Sequence, residues 1–226
     1  MERRSRMLIK GLASVALAMM AVALAVEPAW LAEKTEEFKP LFNGKDLTGW
    51  DGDSRLWRVE NGEIVGSTEG VKIEHNTFLS TKEAYSDFIL KAKVKLRNHN
   101  SGIQFRSEQH PDYVVGGYQA DIAEQTYFGM LYEEKKRGIM DYWKSMTPEE
   151  QAKTQTNVKQ GDWNEYEIIC EGDSVKLILN GNVTCDITDP EGAKTGIIAL
   201  QLHAGPAMEV RFKDISIKDL KAEKKG

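Results

Sequence analysis

The sequence predicts an all-β fold, a β-sandwich or jelly roll of antiparallel strands. Two observations carry this. Short runs with apolar residues at every second position recur along most of the chain, and turn-forming dipeptides separate them. The alternation is clearest in Phe88, Leu90, Ala92, Val94 and Leu96, interleaved with Lys91, Lys93 and Lys95. Such a run has one face toward a core and one toward water.

The strand-like runs follow in order. Phe38–Phe42 leads into the turn-rich Asn43-Gly44-Lys45-Asp46, and Trp57–Val59 and Glu63–Ser67 flank Asn61-Gly62, a strong hairpin signal. Thr77–Ser80, Asp87–Leu96, Ser101–Ser107 and Tyr113–Ile122 come next. Asn164–Cys170, Ser174–Leu179 and Val183–Thr188 are separated by Gly172-Asp173 and Asn180-Gly181, and read as a meander. Gly196–His203 and Glu209–Leu220 close the set, the last with a bulge near Asp214 that keeps Ile215 and Ile217 apolar-side inward. Glu133 to Gln160 breaks the pattern, being charged and poor in β-branched residues. Within it Thr147 is placed to cap a short helix, with Pro148 at the first helical position and Glu150 three residues on. A long segment of this kind in a small domain is a functional or mobile loop.

The first residues read as an export signal. Met1 to Lys10 holds Arg3, Arg4, Arg6 and Lys10, and Gly11 to Val26 is uncharged and apolar. That run is shorter than the roughly 20 residues a membrane-spanning helix needs. Ala23-Leu24-Ala25 fits a cleavage site, and a second lies after Ala32. A periplasmic or secreted product of about 200 residues, one domain, is expected, with no stable membrane insertion after cleavage. The whole chain carries 30 basic and 35 acidic residues; residues 1–25 hold four basic and one acidic, and without them the net charge is −8. That balance argues against a nucleic-acid partner. Export permits a disulfide. However, the meander puts Cys170 and Cys185 two strand spacings apart, about 9.5 Å, beyond the roughly 7 Å over which Cα atoms can be bridged. Two buried free cysteines are expected.

The most informative stretch is Gly117 to Glu124. On a strand Gln119 and Asp121 share a face, with Tyr118, Ala120 and Ile122 on the other. A bulge around Ile122 and Ala123 would bring Glu124 to the same face. A row of carboxyl and amide groups on a sheet suits sugar recognition and acid–base chemistry; the alternative is a solvated sheet face. Gln104 and Arg106 share one face of their strand, opposite Ile103 and Phe105, and Gln201 and His203 share one face of theirs, opposite Leu200 and Leu202. Tyr132, Glu133 and Glu134 either form a site wall with Arg137 or pair charges at the surface. Arg211 alternates with core residues and either joins the same face or is an edge charge. Asp121, Glu124 and His203 could ligate a divalent cation, but no spacing fixes a metal. There is no Cys-x-x-Cys, His-x-x-x-His, serine elbow or phosphate-binding glycine loop.

Several segments together resemble the 3-keto-disaccharide hydrolase domain family. They are Pro40-Leu-Phe-Asn-Gly-Lys-Asp-Leu-Thr-Gly-Trp50, Asn100-Ser-Gly-Ile-Gln-Phe-Arg106, Gly116-Gly-Tyr-Gln-Ala-Asp-Ile122, Gly129-Met-Leu-Tyr-Glu-Glu134 with Arg137, Trp163-Asn-Glu-Tyr-Glu167, Asn180-Gly181, Leu200-Gln-Leu-His203 and Glu209-Val-Arg-Phe-Lys-Asp-Ile215. The resemblance spans Phe38 to Leu220. It implies a concanavalin A-like jelly-roll sandwich of two antiparallel sheets with the site on a concave sheet. It also implies a carbohydrate partner, either a 3-keto-glycoside or another glycan. Laminarinase-type enzymes of this architecture carry Glu-x-Asp-x-x-Glu on the corresponding strand, where this chain has Gln119, Asp121 and Glu124. Many members of the keto-disaccharide family carry Glu-x-Gln-x-x-Asp there instead. Gln119 thus stands at the nucleophile position, and an amide cannot form the glycosyl ester of a retaining mechanism. The expected function is glycosidic-bond cleavage of 3-keto-glycosides by C2 deprotonation, elimination and hydration. Asp121 or Glu124 is the expected base, Arg106 the charge stabiliser and His203 the acid, with Gln104, Gln119, Gln201, Tyr132, Glu133 and Arg211 as substrate-binding residues. The alternative is a non-catalytic, lectin-like or cell-envelope interaction module.

Overall fold

The computed structural model describes residues 37–124 and 126–220. The expected signal segment and its expected cleavage sites therefore lie outside the described residues. Along the chain come β1 (Lys39–Pro40), β2 (Trp50–Asp51), β3 (Trp57–Glu60), β4 (Glu63–Ser67), β5 (Thr77–Tyr85), β6 (Phe88–Leu96), β7 (Asn100–Gln109) and β8 (Val115–Ala123). Then follow β9 (Leu131–Glu134), β10 (Gly138–Ile139), the helices α1 (Asp141–Lys144) and α2 (Pro148–Thr154), β11 (Asn164–Glu171), β12 (Ser174–Leu179), β13 (Asn182–Thr188), β14 (Gly196–Leu202) and β15 (Glu209–Asp219).

The strands form two antiparallel sheets. One has eight strands, in the order β13-β12-β11-β6-β15-β4-β3 with β1 also pairing β15. The other has seven, in the order β10-β9-β8-β7-β14-β5-β2. The neighbours β7, β14 and β5 are far apart in sequence, so only folding assembles this sheet. Between the sheets lies one apolar core. It takes Phe88, Leu90, Val94, Ile168, Leu177 and Phe212 from the first sheet, and Ile103, Phe105, Ala120, Ile122, Leu200 and Leu202 from the second. Burying one such Leu or Phe stabilises by about 1.5–3 kcal/mol. These residues hold the register, because a slip of one residue would turn each of them outward.

Local sequence signals explain the connections. Asn61-Gly62 and Asn180-Gly181 both have positive φ at the two central residues, the type I′ geometry that matches strand twist. The bulge expected near Asp214 is present: the β15–β6 register shifts between Lys213 and Ser216, and Asp214 has φ 51°. Thr147 and Glu150 form the expected capping box at the start of α2. Cys170 and Cys185 are free and buried on β11 and β13, with β12 between them.

The segment expected as one long loop contains more structure. Besides the expected helix α2, it holds the end of β9, then β10 and α1. The two extra strands are four and two residues long, too short to show a reliable period in sequence.

Candidate active site

The site lies on the outer face of the seven-stranded sheet. Pairing places Gln104 opposite Gln119, Gly102 opposite Asp121, and Gln119 opposite Tyr132, so these positions share one face. They form a chain of hydrogen bonds. Ser107 Oγ donates to Gln104 Oε1 (2.7 Å), Gln104 Nε2 to Gln119 Oε1 (2.9 Å), and Gln119 Nε2 to Asp121 Oδ1 (2.8 Å). Gly102 makes this possible: a Cβ there would lie 2.3 Å from the Gln119 side chain. Gln119 thus lies across the neighbouring strand toward Asp121.

This outer face is buried, unlike an ordinary solvated sheet. Gln104 and Gln201 are 0% exposed, and Asp121 is 5% exposed. At one end the chain before β8 closes over the sheet. Phe78 N donates to Tyr113 O (2.9 Å), and Phe78, Val115 and Ala199 pack together. At the other end a cavity of about 250 Å³ opens, with Asn76, Asn100, Asp121, Glu134, Gln201 and His203 among its polar lining. Glu134 sits between two amides, accepting from Asn76 Nδ2 (3.4 Å) and Gln201 Nε2 (3.5 Å). Gln201 Oε1 is buried with no hydrogen-bond partner among the described residues. A buried acceptor of this kind is costly unless something donates to it, as a sugar hydroxyl would.

The electrostatics follow from burial. The Asp121 carboxyl is pushed up to about 7, mainly because burial disfavours its charged form. The Gln119 hydrogen bond opposes the rise, the Glu134 charge adds to it, and Asn100 opposes it. Glu134 is also raised by burial, against the amides of Asn76 and Gln201. His203 is lowered by burial and by the neighbouring His99, against its hydrogen bond to Ala204. The two imidazoles meet edge to face at 4.8 Å. His203 Nδ1 lies 2.6 Å from the Ala204 carbonyl, which can only accept, so Nδ1 carries the proton and Nε2 is an acceptor. A neutral ring in this tautomer is a base, so the acid role expected of His203 does not suit it.

Asp121, Gln119, Gln201, His203 and Tyr132 line the cavity together, and Gln104 supports Gln119 from behind. Four expectations are corrected. Glu124 lies past the end of β8 and is exposed, because β8 pairs with β7 through Ala123 without the expected bulge. Arg106 does not face the cavity. The β7–β8 register shifts after Phe105, and Arg106 has φ 47°, which turns it toward the core end of the sandwich. There its guanidinium donates to Ser86 O (2.6 Å), Gly172 O (2.9 Å) and Asp87 Oδ1 (2.9 Å), tying the two sheets together.

Glu133 alternates to the buried face of β9, where it pairs with Arg137, which in turn holds Asp189. Glu134, one residue on, takes its place in the wall. Arg211 belongs to the eight-stranded sheet and pairs with Glu60, Glu63 and Glu209. Asp121, Glu124 and His203 do not converge as cation ligands. Among the described residues no group of three or more His, Cys, Asp or Glu side chains could hold a metal ion.

Asn76, Asn100 and Tyr127 enter the site without having been expected there. Asn100 was accessible to period-two reasoning, standing four residues before Gln104 with Gly102 between them. Asn76 precedes its strand, and Tyr127 lies in a turn, so neither carries a periodic signal.

Residues 37–218 match the 3-keto-alpha-glucoside-1,2-lyase-like domain family, and the chain belongs to it. No curated protein matches the chain. Among solved structures, a candidate glycosyl hydrolase from Parabacteroides distasonis is similar at TM-score 0.60 and 24% identity, covering 83% of this chain and 96% of that one. A carbohydrate binding module from Bacillus subtilis is similar at TM-score 0.52 and 17% identity, covering 76% and 96%. A Bacillus subtilis protein with a galectin-like fold gives TM-score 0.55 at 10% identity, covering 81% and 94%. At these identities the structures establish the jelly-roll fold. Membership of the family makes this a carbohydrate-active domain. No helix among the described residues is long and apolar enough to cross a membrane.

Proposed function

We propose that the domain is exported and cleaves glycosides already oxidised at C3, by elimination across C1 and C2. The observation that carries this reading is Asp121, a carboxyl raised to about 7 in the floor of a buried polar cavity. A general base works best with a pKa near the working pH. A ketone at C3 acidifies the C2 proton, which Asp121 removes. The electron pair forms an enolate, whose oxygen takes hydrogen bonds from the side-chain amides lining the cavity. The enolate then expels the C1 oxygen, and a double bond forms between C1 and C2. The leaving oxygen takes its proton from solvent at the open end of the cavity, and Glu134 holds the amides of Asn76 and Gln201 in place. Water adds across the double bond, hydroxyl to C1 and proton to C2, so the net reaction is hydrolysis. His203 Nε2 and Gln201 Oε1 accept from sugar hydroxyls.

This chemistry needs no carboxylate at the Gln119 position, in contrast to a retaining glycosidase. The test is incubation of the purified mature domain with 3-keto-trehalose or a 3-keto-glucoside. Release of 3-keto-glucose above the buffer rate is expected; no release across pH and added divalent ions rejects the reading. Gln119 at the nucleophile position also favours a second reading, a glycan-binding module. Binding on a glycan array with no turnover would select it. For export, mass spectrometry of protein from the native host should find a mature N-terminus between Val26 and Glu33, and a product starting at Met1 contradicts it.

A further inference from the structure

The cavity is chemically lopsided. Its floor is polar, whereas Tyr127, Met130, Tyr132 and Ile139 form an apolar wall drawn from one stretch of chain. Tyr127 is 43% exposed, one of two large hydrophobic residues exposed among the described residues. It is nevertheless held firmly in place. Hydrogen bonds pin the turn where it runs from Tyr127 toward β9: Met130 N donates to Tyr127 O (3.0 Å), and Gly129 N to Asp121 O (3.0 Å). Gln155 Nε2 donates to Phe128 O (2.6 Å), and Thr184 Oγ1 to Gly129 O (2.7 Å). The buried Trp143 of α1 packs against the Tyr127 ring, with centroids 6.4 Å apart. Tyr142, the neighbouring residue, fixes the next strand by accepting from Leu131 N (2.6 Å).

A turn this well anchored, holding one aromatic ring in solvent at the mouth of a polar cavity, is built as a stacking platform. The volume agrees. About 250 Å³ is below the roughly 300–1,000 Å³ typical of clefts that enclose a whole drug-sized ligand. A space of that size suits a single sugar ring, which directs a group attached at C1 toward the exposed Tyr127.

We propose that Tyr127 is the specificity-determining residue for the group leaving from C1, and that it favours a flat, apolar-faced aglycone such as an aryl ring. This rests on the glycoside reading above for what enters the floor. The helical insertion is then a support that presents the platform, which gives a function to the segment that departs from the strand pattern.

The test compares phenyl and methyl 3-keto-glucosides, and the corresponding unoxidised glucosides, by calorimetric binding and by turnover. Wild-type protein is expected to favour the phenyl compound, and Tyr127→Ala to reduce that preference about 5- to 10-fold, as loss of one aromatic stacking contact would. Tyr127→Phe should retain the preference, and Tyr127→Leu should lose most of it; thermal melts of each variant establish that it is folded. Absence of a phenyl preference in the wild type, including absence of any binding, overturns the proposal whatever the variants do. An equal fall on both compounds in Tyr127→Ala overturns it as well. A retained preference in binding without turnover of either keto-glucoside leaves the platform standing and rejects the cleavage reading.

Discussion

The two outer faces of this sandwich are built on the same alternating pattern and behave in opposite ways. On the eight-stranded sheet many outward residues are charged and at least partly in water. Lys91 pairs with Glu167 (3.1 Å), Lys93 with Asp214 (2.9 Å) and Lys176 with Asp186 (2.8 Å). On the seven-stranded sheet the outward polar residues around the cavity are amides and two carboxyls, Asp121 and Glu134, with the turn at Tyr127 and the chain before β8 beside them. Each lysine–carboxylate pair on the first face keeps its hydration and contributes little to stability. On the second, burial raises Asp121 and leaves Gln201 Oε1 without a partner among the described residues. The lesson is that composition along a strand does not make a site. A polar row becomes chemically active when neighbouring loops remove it from water.

The strongest test of this contrast is Asp121→Asn. Loss of a general base should lower kcat by about 10²–10⁴-fold on a keto-glycoside. The same variant tests the electrostatics independently of activity. Asp121 has a folded value near 7 against 3.8 unfolded, so its proton is bound more tightly in the folded state. Its contribution to stability is full below about pH 4, declines as the pH rises to 7, and levels off above that, a total of roughly 4 kcal/mol. Denaturant unfolding at several pH values should therefore show the Asn variant gaining on wild type between pH 4 and 7. A gap that stays flat would mean that Asp121 is ordinary and solvated, like the carboxylates of the other face.

Arg106→Ala asks whether that arginine belongs to either face. Buried at the end of the sandwich with Asp87, it should cost about 3–5 kcal/mol of unfolding free energy. A loss of kcat at unchanged stability would return Arg106 to the site.

A smaller effect is expected at Gln119. It donates to the ionised Asp121, so Gln119→Ala should raise the acidic limb of the kcat/KM pH profile by about one unit. An unmoved limb would show that the amide chain supports structure alone. Smallest of all is Lys176→Ala on the opposite face, which should change stability by less than about 1 kcal/mol and turnover not at all. A larger change there would break the comparison from the other side.

Much of this was legible beforehand because it depends on local rules. The period of two in β6, β7, β8 and β14 assigns Phe105, Ala120, Ile122, Leu200 and Leu202 to the core, and the structure places them there. By the same count Gln104, Gln119, Asp121, Gln201 and His203 fall on the other face. The pattern fails where the period breaks. At Arg106 a bulge with positive φ reverses the side chain, and nothing in Phe-Arg-Ser announces it. At Glu124 an expected bulge is missing, so the residue leaves the sheet. Counting parity within β9 needs its boundaries, and four residues are too few to mark them, which is why Glu133 and Glu134 exchange roles.

The sequence by itself determined most of the strands and of their inward and outward residues, the Asn-Gly hairpins, the capped helix and the free cysteines, because each depends on neighbours a few residues away. Only the tertiary structure decided which outward face is buried. It alone showed that Glu134, from a strand beyond the Tyr127 turn, faces Asp121, and that Arg106 and Arg211 belong elsewhere. Burial and charge coupling act through space, and they depend on which loop lies over which strand. That information is distributed across segments as distant as Asn76 and His203, and no local pattern holds it.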